Sequence, residues 1–200
     1  MANVIKKGGL RLKEARVDQA LMTCVHSASE RLGIGDPVKT AGGSAQVAGG
    51  PYSKNVALCA SGDPIFGVVQ GVLKEFVASG MDLDSRYAAS AVATYVLVRK
   101  ANHEDVYAIT EDGTSAVGDI GENANLTGNG GGTTITECDT VTGQSTVMLD
   151  SSTTDTTATL QVKMIAYEDT ADNTPGALNA SIMVQLNNIE NSGGTGTAGV

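Results

Sequence analysis

Residues 62–113 carry the strongest structural signal in this sequence. They contain four short blocks, which read GDPIFGVV at 62–69, SRY at 85–87, VATYVLVR at 92–99 and VYAITEDG at 106–113. The apolar blocks are rich in Val, Ile, Thr and Tyr, and Gly, Pro, Asn or Asp bound them. This composition is typical of β-strands joined by turns and not of helices. The segment therefore predicts a mainly β fold.

A Gly-Asp-Pro turn occurs twice, at 35–37 and at 62–64, and each copy is followed by an apolar run. Proline fixes φ and favours an extended run after the turn. We therefore predict that two strands enter the same sheet edge. The glycines inside 65–73 indicate a bulge or a barrel corner.

The remaining strands follow from short apolar patterns. Both faces of 92–98 are apolar, which predicts a central strand covered on both sides. Leu160, Val162 and Met164 alternate with polar residues, as do Ile182, Val184 and Leu186, which predicts half-buried strands. Further strands are expected at 56–59, 134–138 and 145–149, with a hairpin or loop at 41–52, a loop with one helical turn at 74–84 and a flexible loop at 122–133.

The first 35 residues fit two descriptions. Val17, Leu21, Val25, Ala28 and Leu32 have helical spacing, whereas 21–26 equally suits a strand. We favour an extended arm, a strand near 20–26 and a short helical turn at 27–32. The expected organisation is an N-terminal arm at 1–33, a compact β-barrel or β-sandwich body at 34–190 and a flexible Gly/Thr-rich tail at 191–200.

Composition restricts the class of protein. Two hundred residues can bury a core without a metal or disulfide staple. The three cysteines, Cys24, Cys59 and Cys138, are odd in number and widely spaced, which favours buried free thiols and folding in a reducing cytoplasm. We expect no signal peptide and no membrane span, since no apolar run approaches the required length.

The net charge of −9 is distributed unevenly. Residues 1–35 hold six Lys/Arg and three Asp/Glu. Residues 101–200 hold one Lys/Arg and fourteen Asp/Glu. Solvated acidic loops are the simplest explanation. A weakly basic start could lie on an acidic partner surface, but nucleic acid is a poor partner because phosphate binding needs clustered cations.

No motif predicts catalysis, a cofactor or a metal. Residues 42–46 lack the closing Gly of a nucleophile elbow, and 128–132 lack the Lys-Ser/Thr of a phosphate loop. His26 and His103 are more simply satisfied or surface histidines. The cysteines lack a C-x-x-C pair, and the loop carboxylates that could supply calcium oxygens have no EF-hand spacing (Asp82, Asp84, Asp119, Glu122, Asp169 and Asp172).

The order of short motifs along the whole chain resembles the capsid decoration (cement) proteins and related structural proteins of tailed-bacteriophage virions. The matching motifs are GLR at 9–11, IGDPV at 34–38, GDPIFGVV at 62–69, YVLV at 95–98, YAITEDG at 107–113, DIGENANL at 119–126, LDSS at 149–152, TATLQ at 157–161, DN at 172–173 and VQLNN at 184–188. Residues 13–20 depart from the family, because they lack the expected Pro and aromatic residues.

The resemblance implies a non-enzymatic protein, made in the host cytoplasm, that binds the outside of the capsid between major capsid subunits. It also implies a homo-oligomer on a symmetry axis, for which we prefer a trimer slightly to a dimer. The basic arm suggests shell contacts through Lys6, Lys7, Leu10, Arg11 and Arg16. We expect deletion of 1–16 to abolish capsid binding and to leave a folded body.

Two other classes remain open. A head-fibre or tail-associated β-sandwich module could bind carbohydrate or the host surface, and it would need exposed aromatic residues for sugar stacking. A hydrolase with an unrecognised site ranks last, because two histidines and no motif leave little for catalysis.

Overall fold

The computed structural model describes residues 3, 5–6, 8–16, 20–47, 50–73, 76–77, 80–81, 86–129, 134–190 and 199, with the backbone alone at 76–77 and 80–81. The protein is mainly β, with 41% strand and 4% helix. This confirms the predicted fold class.

Fourteen strands are described, and two short 3₁₀ turns lie at Val117–Asp119 and Ser151–Thr153. The strands are β1 (Arg11–Glu14), β2 (Met22–His26), β3 (Pro37–Ala45), β4 (Ser53–Leu58), β5 (Gly67–Val72), β6 (Phe76–Val77), β7 (Gly80–Met81), β8 (Thr94–Lys100), β9 (Val106–Thr110), β10 (Asn123–Ala124), β11 (Leu126–Thr127), β12 (Met148–Leu149), β13 (Val162–Tyr167) and β14 (Ser181–Leu186).

Five strands close into a barrel in the order β2-β4-β3-β5-β8. The β-branched residues of β8 explain its place, because Val96 and Val98 are fully buried while β2 and β5 pair on either side. A closed barrel leaves none of these strands with a free edge. The register of β5 against β8 shifts between Val69 and Gly71, which confirms the irregularity predicted from the glycines.

The strands that follow the two Gly-Asp-Pro turns are neighbours in the barrel. Pro37 pairs with Val68, so β3 and β5 begin side by side and run in opposite directions. The N–H of Gly35 donates to the Val69 carbonyl at 2.8 Å, and the N–H of Val69 donates to the Asp36 carbonyl at 2.9 Å. The two strands therefore begin as antiparallel neighbours within a closed barrel, and not at a common sheet edge as predicted.

A second sheet has the order β1-β9-β14-β13-β10, and its core side packs against the barrel. Every residue of β9 is buried because β9 lies between two strands and is covered on both faces. The predicted inward residues Ile182, Val184 and Leu186 of β14 are all buried. One hydrophobic cluster contains residues of both sheets, so the described chain has a common core.

The predicted boundary at residue 33, between an N-terminal arm and the β body, does not match the strand pairing. β2 is a barrel strand paired with β4 and β8, and β1 is the edge strand of the second sheet. Leu10 is 1% exposed and belongs to the core. The described residues of 8–16 and 22–33 therefore belong to the body, because Leu10, Cys24 and Leu32 are buried in its core.

Other local predictions also needed correction. Residues 27–32 form bends and a bridge from Leu32 to Ala88 in place of a helical turn. The segment 74–84 contains β6 and β7, and 134–138 forms no strand. The expected flexible tail lies outside the described residues except for Gly199, whose N–H donates to the Thr156 carbonyl at 3.0 Å.

Candidate functional site

The N-terminal segment lies across the body as a strap, a name used here for the described residues of 3–16. The N–H groups of Gly8 and Leu10 donate to the carbonyls of Ser145 and Gly35, both at 3.1 Å. β1 then continues the strap along β9, with Leu12 opposite Tyr107. The strap thus bridges loops of the barrel and of the second sheet.

Three cations of the strap, Lys6, Arg11 and Lys13, converge on one carboxylate, Glu168, which follows β13 and is 8% exposed. Lys13 reaches it at 2.5 Å, Lys6 at 3.4 Å and Arg11 at 3.9 Å. The Ser181 hydroxyl donates to it at 2.7 Å. These contacts tie three positions of the strap to the end of the second sheet.

Burial raises the pKa of Glu168, but hydrogen bonds from Lys13 and Ser181 and the charges of Lys13 and Lys6 outweigh it and lower the pKa to about 2. A carboxyl group whose pKa is lower in the folded state stabilises the fold above its ordinary pKa. That contribution is present above pH 4.5 and is lost as the pH falls through about 2.

We expect Glu168→Gln to remove this acid dependence. Because Lys6 and Lys13 are 24% and 39% exposed, solvent weakens the attraction. The variant should therefore lose only about 1–2 kcal/mol of unfolding free energy at pH 7. Urea titrations at pH 7, 4 and 2.5 measure the difference.

Asp172→Asn is the matched control, since this carboxylate also contacts Lys6 but is 60% exposed. It should change the unfolding free energy little at any of these pH values. If Glu168→Gln and wild type lose stability equally between pH 4 and pH 2.5, the role assigned to Glu168 is wrong.

The five residues predicted to contact a capsid shell do not form one exposed surface among the described residues. Lys6 and Arg11 are engaged by the second sheet, with Arg11 donating to the Ser181 hydroxyl at 2.9 Å. Leu10 is buried and offers no surface, which corrects its assignment as a contact residue. Arg16 is 55% exposed and pairs with Glu14. Lys7 lies outside the described residues.

A groove of about 260 Å³ runs beside the strap, and we call it the strap groove. Leu12, Ile34, Gln70 and Gln144 are among the residues that line it, and none of its lining residues is Asp or Glu. Ile34 is 45% exposed, and Val141 in the adjoining turn is 72% exposed. The groove lining therefore combines apolar and amide side chains with Arg11, and the turn that carries Val141 also holds Asp139.

The described residues do not assemble catalytic groups around the histidines or cysteines. His26 is fully buried, and its ring nitrogens contact the carbonyls of Val56 and Glu30 at 3.3 and 2.6 Å. His103 contacts the Leu186 carbonyl at 2.9 Å. The three cysteines are free and buried, as predicted.

Within the described ranges, no group of three or more His, Cys, Asp or Glu residues is placed to hold a metal ion. Of the loop carboxylates considered above as possible calcium ligands, Asp82 and Asp84 fall outside the described residues. No helix in the described part of the chain has both the length and the apolar character needed to cross a membrane.

Comparison of the chain with protein-family models, curated proteins and solved structures finds no match.

Sequence reasoning missed two features of this site. Glu168 carries no local signal, because its partner Lys6 is 162 residues away in the chain. Ile34 lies between Gly33 and Gly35 at the first Gly-Asp-Pro turn, and nothing in the sequence indicates that its side chain faces solvent.

Proposed function

We propose that this protein is a non-enzymatic virion structural protein that decorates and stabilises the outside of a tailed-phage capsid. In this role the protein binds between major capsid subunits, through the strap groove and the exposed apolar residues beside it. The order of short motifs along the chain supports the class of protein. The observation that carries the choice of surface is the exposure of Ile34 and Val141 beside a groove without carboxylates.

Contiguous exposed apolar surface favours a binding role more than single exposed residues do. Ile34 and the turn that carries Val141 are adjacent, because the N–H of Ile34 donates to the Gly143 carbonyl at 2.9 Å. β1 is also an edge strand beside the groove, and such an edge can accept an extended segment of a partner.

The proposed contact surface differs from the one that the sequence suggested. The strap cations Lys6, Arg11 and Lys13 already contact Glu168, so they are poorly placed to bind a partner. Since the groove lining lacks carboxylates, it can approach a neutral or acidic shell surface without repulsion. The major capsid protein as partner and the homo-oligomer, with a trimer slightly preferred to a dimer, remain predictions.

A carbohydrate-binding module is a weaker proposal. Of the five tyrosines, Tyr52 is 72% exposed, whereas Tyr107 is fully buried. Tyr95 is only partly exposed, and its hydroxyl donates to the Pro51 carbonyl at 2.7 Å. Sugar stacking needs an accessible aromatic platform, and one exposed ring among the described tyrosines provides little of it.

Co-sedimentation with purified heads of the phage that encodes the protein tests the proposal. The double variant Ile34→Ser/Val141→Ser should bind about 10- to 100-fold more weakly than wild type, because two apolar side chains would lose burial at the interface. The matched control is Val117→Ser/Leu178→Ser, which changes two residues that are 61% and 56% exposed on other loops.

The control should bind as wild type does. Failure of the wild-type protein to bind intact heads would refute the proposed function. Equal binding by wild type and the Ile34/Val141 variant would leave the function standing and reject the strap groove as the surface. Deletion of 1–16 cannot replace these variants, because it would also remove Leu10 from the core.

A further inference from the structure

Asp36 lies in the first Gly-Asp-Pro turn and is completely buried. Its Oδ2 accepts the Gly33 N–H at 2.7 Å, and the nearby Ser145 side chain acts to lower the pKa of the carboxyl group. Its Oδ1 is buried with no hydrogen-bond partner among the described residues. An ionised carboxylate without full hydrogen bonding or a counter-charge is costly in such a place.

Among the described residues, the elements packed around Asp36 supply no counter-charge. Cys138 faces it from the 134–147 segment and Cys59 from the end of β4, and burial raises the pKa of both thiols, that of Cys138 to about 12. Both are therefore neutral near pH 7. β5 has no titratable side chain. The nearby cations are committed elsewhere: Arg11 to Ser181, Arg31 to Glu137 and Lys39 to Asp63.

Two residues next to the Asp36 carboxyl group, Gly35 and Ser145, hold the strap by backbone hydrogen bonds. The carbonyl of Gly35, the residue before Asp36, accepts the Leu10 N–H, and the carbonyl of Ser145 accepts the Gly8 N–H. Gly9 lies so close to the Ser145 side chain that a Cβ on Gly9 would overlap the hydroxyl oxygen. A rearrangement that admits water to Asp36 must therefore disturb the contacts of the strap with Gly35 and Ser145.

We propose that Asp36 is a pH-sensitive latch for the strap. The protonated carboxyl group is accommodated in the closed junction of Gly35, Ser145 and the strap. The ionised group requires water, and the junction opens more often to provide it, which releases Gly8 and Leu10 from their carbonyl partners. This inference concerns the folded chain and does not depend on the function proposed above.

The direction of the effect follows from linkage. Burial raises the pKa of Asp36 from 3.8 to about 7, against the opposing hydrogen bonds from Gly33 and Ser145. A carboxyl group whose pKa is higher in the closed state favours closure most at low pH. The strap should thus be held most tightly in mild acid and loosen as the pH rises through about 7.

Amide hydrogen exchange of the strap, corrected for intrinsic exchange rates, measures its opening directly. Between pH 5 and pH 8.5, we expect the opening equilibrium of Gly8 and Leu10 to rise by up to about a hundredfold, because that equilibrium changes up to tenfold per pH unit below the closed-state pKa of Asp36. Asp36→Asn should remove this rise. Glu168→Gln should increase the opening equilibrium of the strap by the same factor at each pH. The rise between pH 5 and pH 8.5 should remain in this variant.

Strap opening that is independent of pH in the wild type would overturn the latch, and so would an unchanged pH dependence in Asp36→Asn. If Asp36→Asn does not fold, carboxyl-carbon NMR of the wild type decides the matter. Titration of Asp36 near neutral pH, in step with the exchange of Leu10, supports the latch. Titration below pH 5 overturns it.

Discussion

Gly35→Ala is expected to destabilise the protein by about 3–5 kcal/mol, which is in the range of the most damaging single substitutions. Gly35 has φ +92°, a conformation that an L residue rarely adopts. A Cβ at this position would overlap the carbonyl oxygen of Gly8, and it would lie 2.9 Å from the carbonyl carbon. The strap would have to move away, which breaks the bond from Leu10 to Gly35 and uncovers part of the core.

The second Gly-Asp-Pro turn provides a matched control. Gly62 has φ +84°, yet a Cβ there would meet nothing within 4 Å. Gly62→Ala should therefore cost only the backbone strain of about 1–2 kcal/mol. Urea unfolding of both variants measures the difference, which isolates the contact with the strap. Equal losses in the two variants would show that the strap contact contributes little to stability.

Asp105→Ala is expected to cost about 3–5 kcal/mol, because it removes the counter-charge of the buried Arg99 guanidinium. Asp105 is fully buried and accepts from Arg99 Nε at 2.7 Å and Nη2 at 3.0 Å. The N–H of Arg16 also donates to Asp105 at 3.1 Å. The pair joins the end of β8 to the start of β9, so its loss should loosen the connection between barrel and second sheet. The unfolding free energy in urea measures the cost.

Glu14→Ala is the comparison for Asp105→Ala. Glu14 and Arg16 form an ion pair at 2.9 Å, but they are 53% and 55% exposed. Removing an exposed pair should change the unfolding free energy by no more than about 1 kcal/mol. A loss below that limit for Asp105→Ala would contradict the importance assigned to the buried pair.

The mainly β character was predictable because it depends on local patterns. Val162 and Met164 are buried in β13 and Ile182, Val184 and Leu186 in β14, as their alternation indicated. The glycine-based prediction of an irregularity in β5 also held. The strand predicted at 134–138 is not formed. Its β-branched residues are also compatible with extended coil that is not paired in a sheet.

The candidate site was much less predictable. The basic residues of the N-terminal segment suggested a free arm that contacts a partner, whereas Lys6, Arg11 and Lys13 contact Glu168 of the same chain. Leu10 was expected at the surface and is instead in the core. A sequence records the charge of a residue but not which distant residue satisfies it.

Local patterns are enough to show where this chain is extended and where it turns, because side-chain alternation and Gly-Asp-Pro turns act over a few residues. Three further features appear only in the folded structure: the strap bridges both sheets, Asp36 is buried with no counter-charge among the described residues, and Ile34 faces solvent. These features depend on contacts between segments more than one hundred residues apart, such as Gly8 with Ser145, and such contacts leave no local pattern.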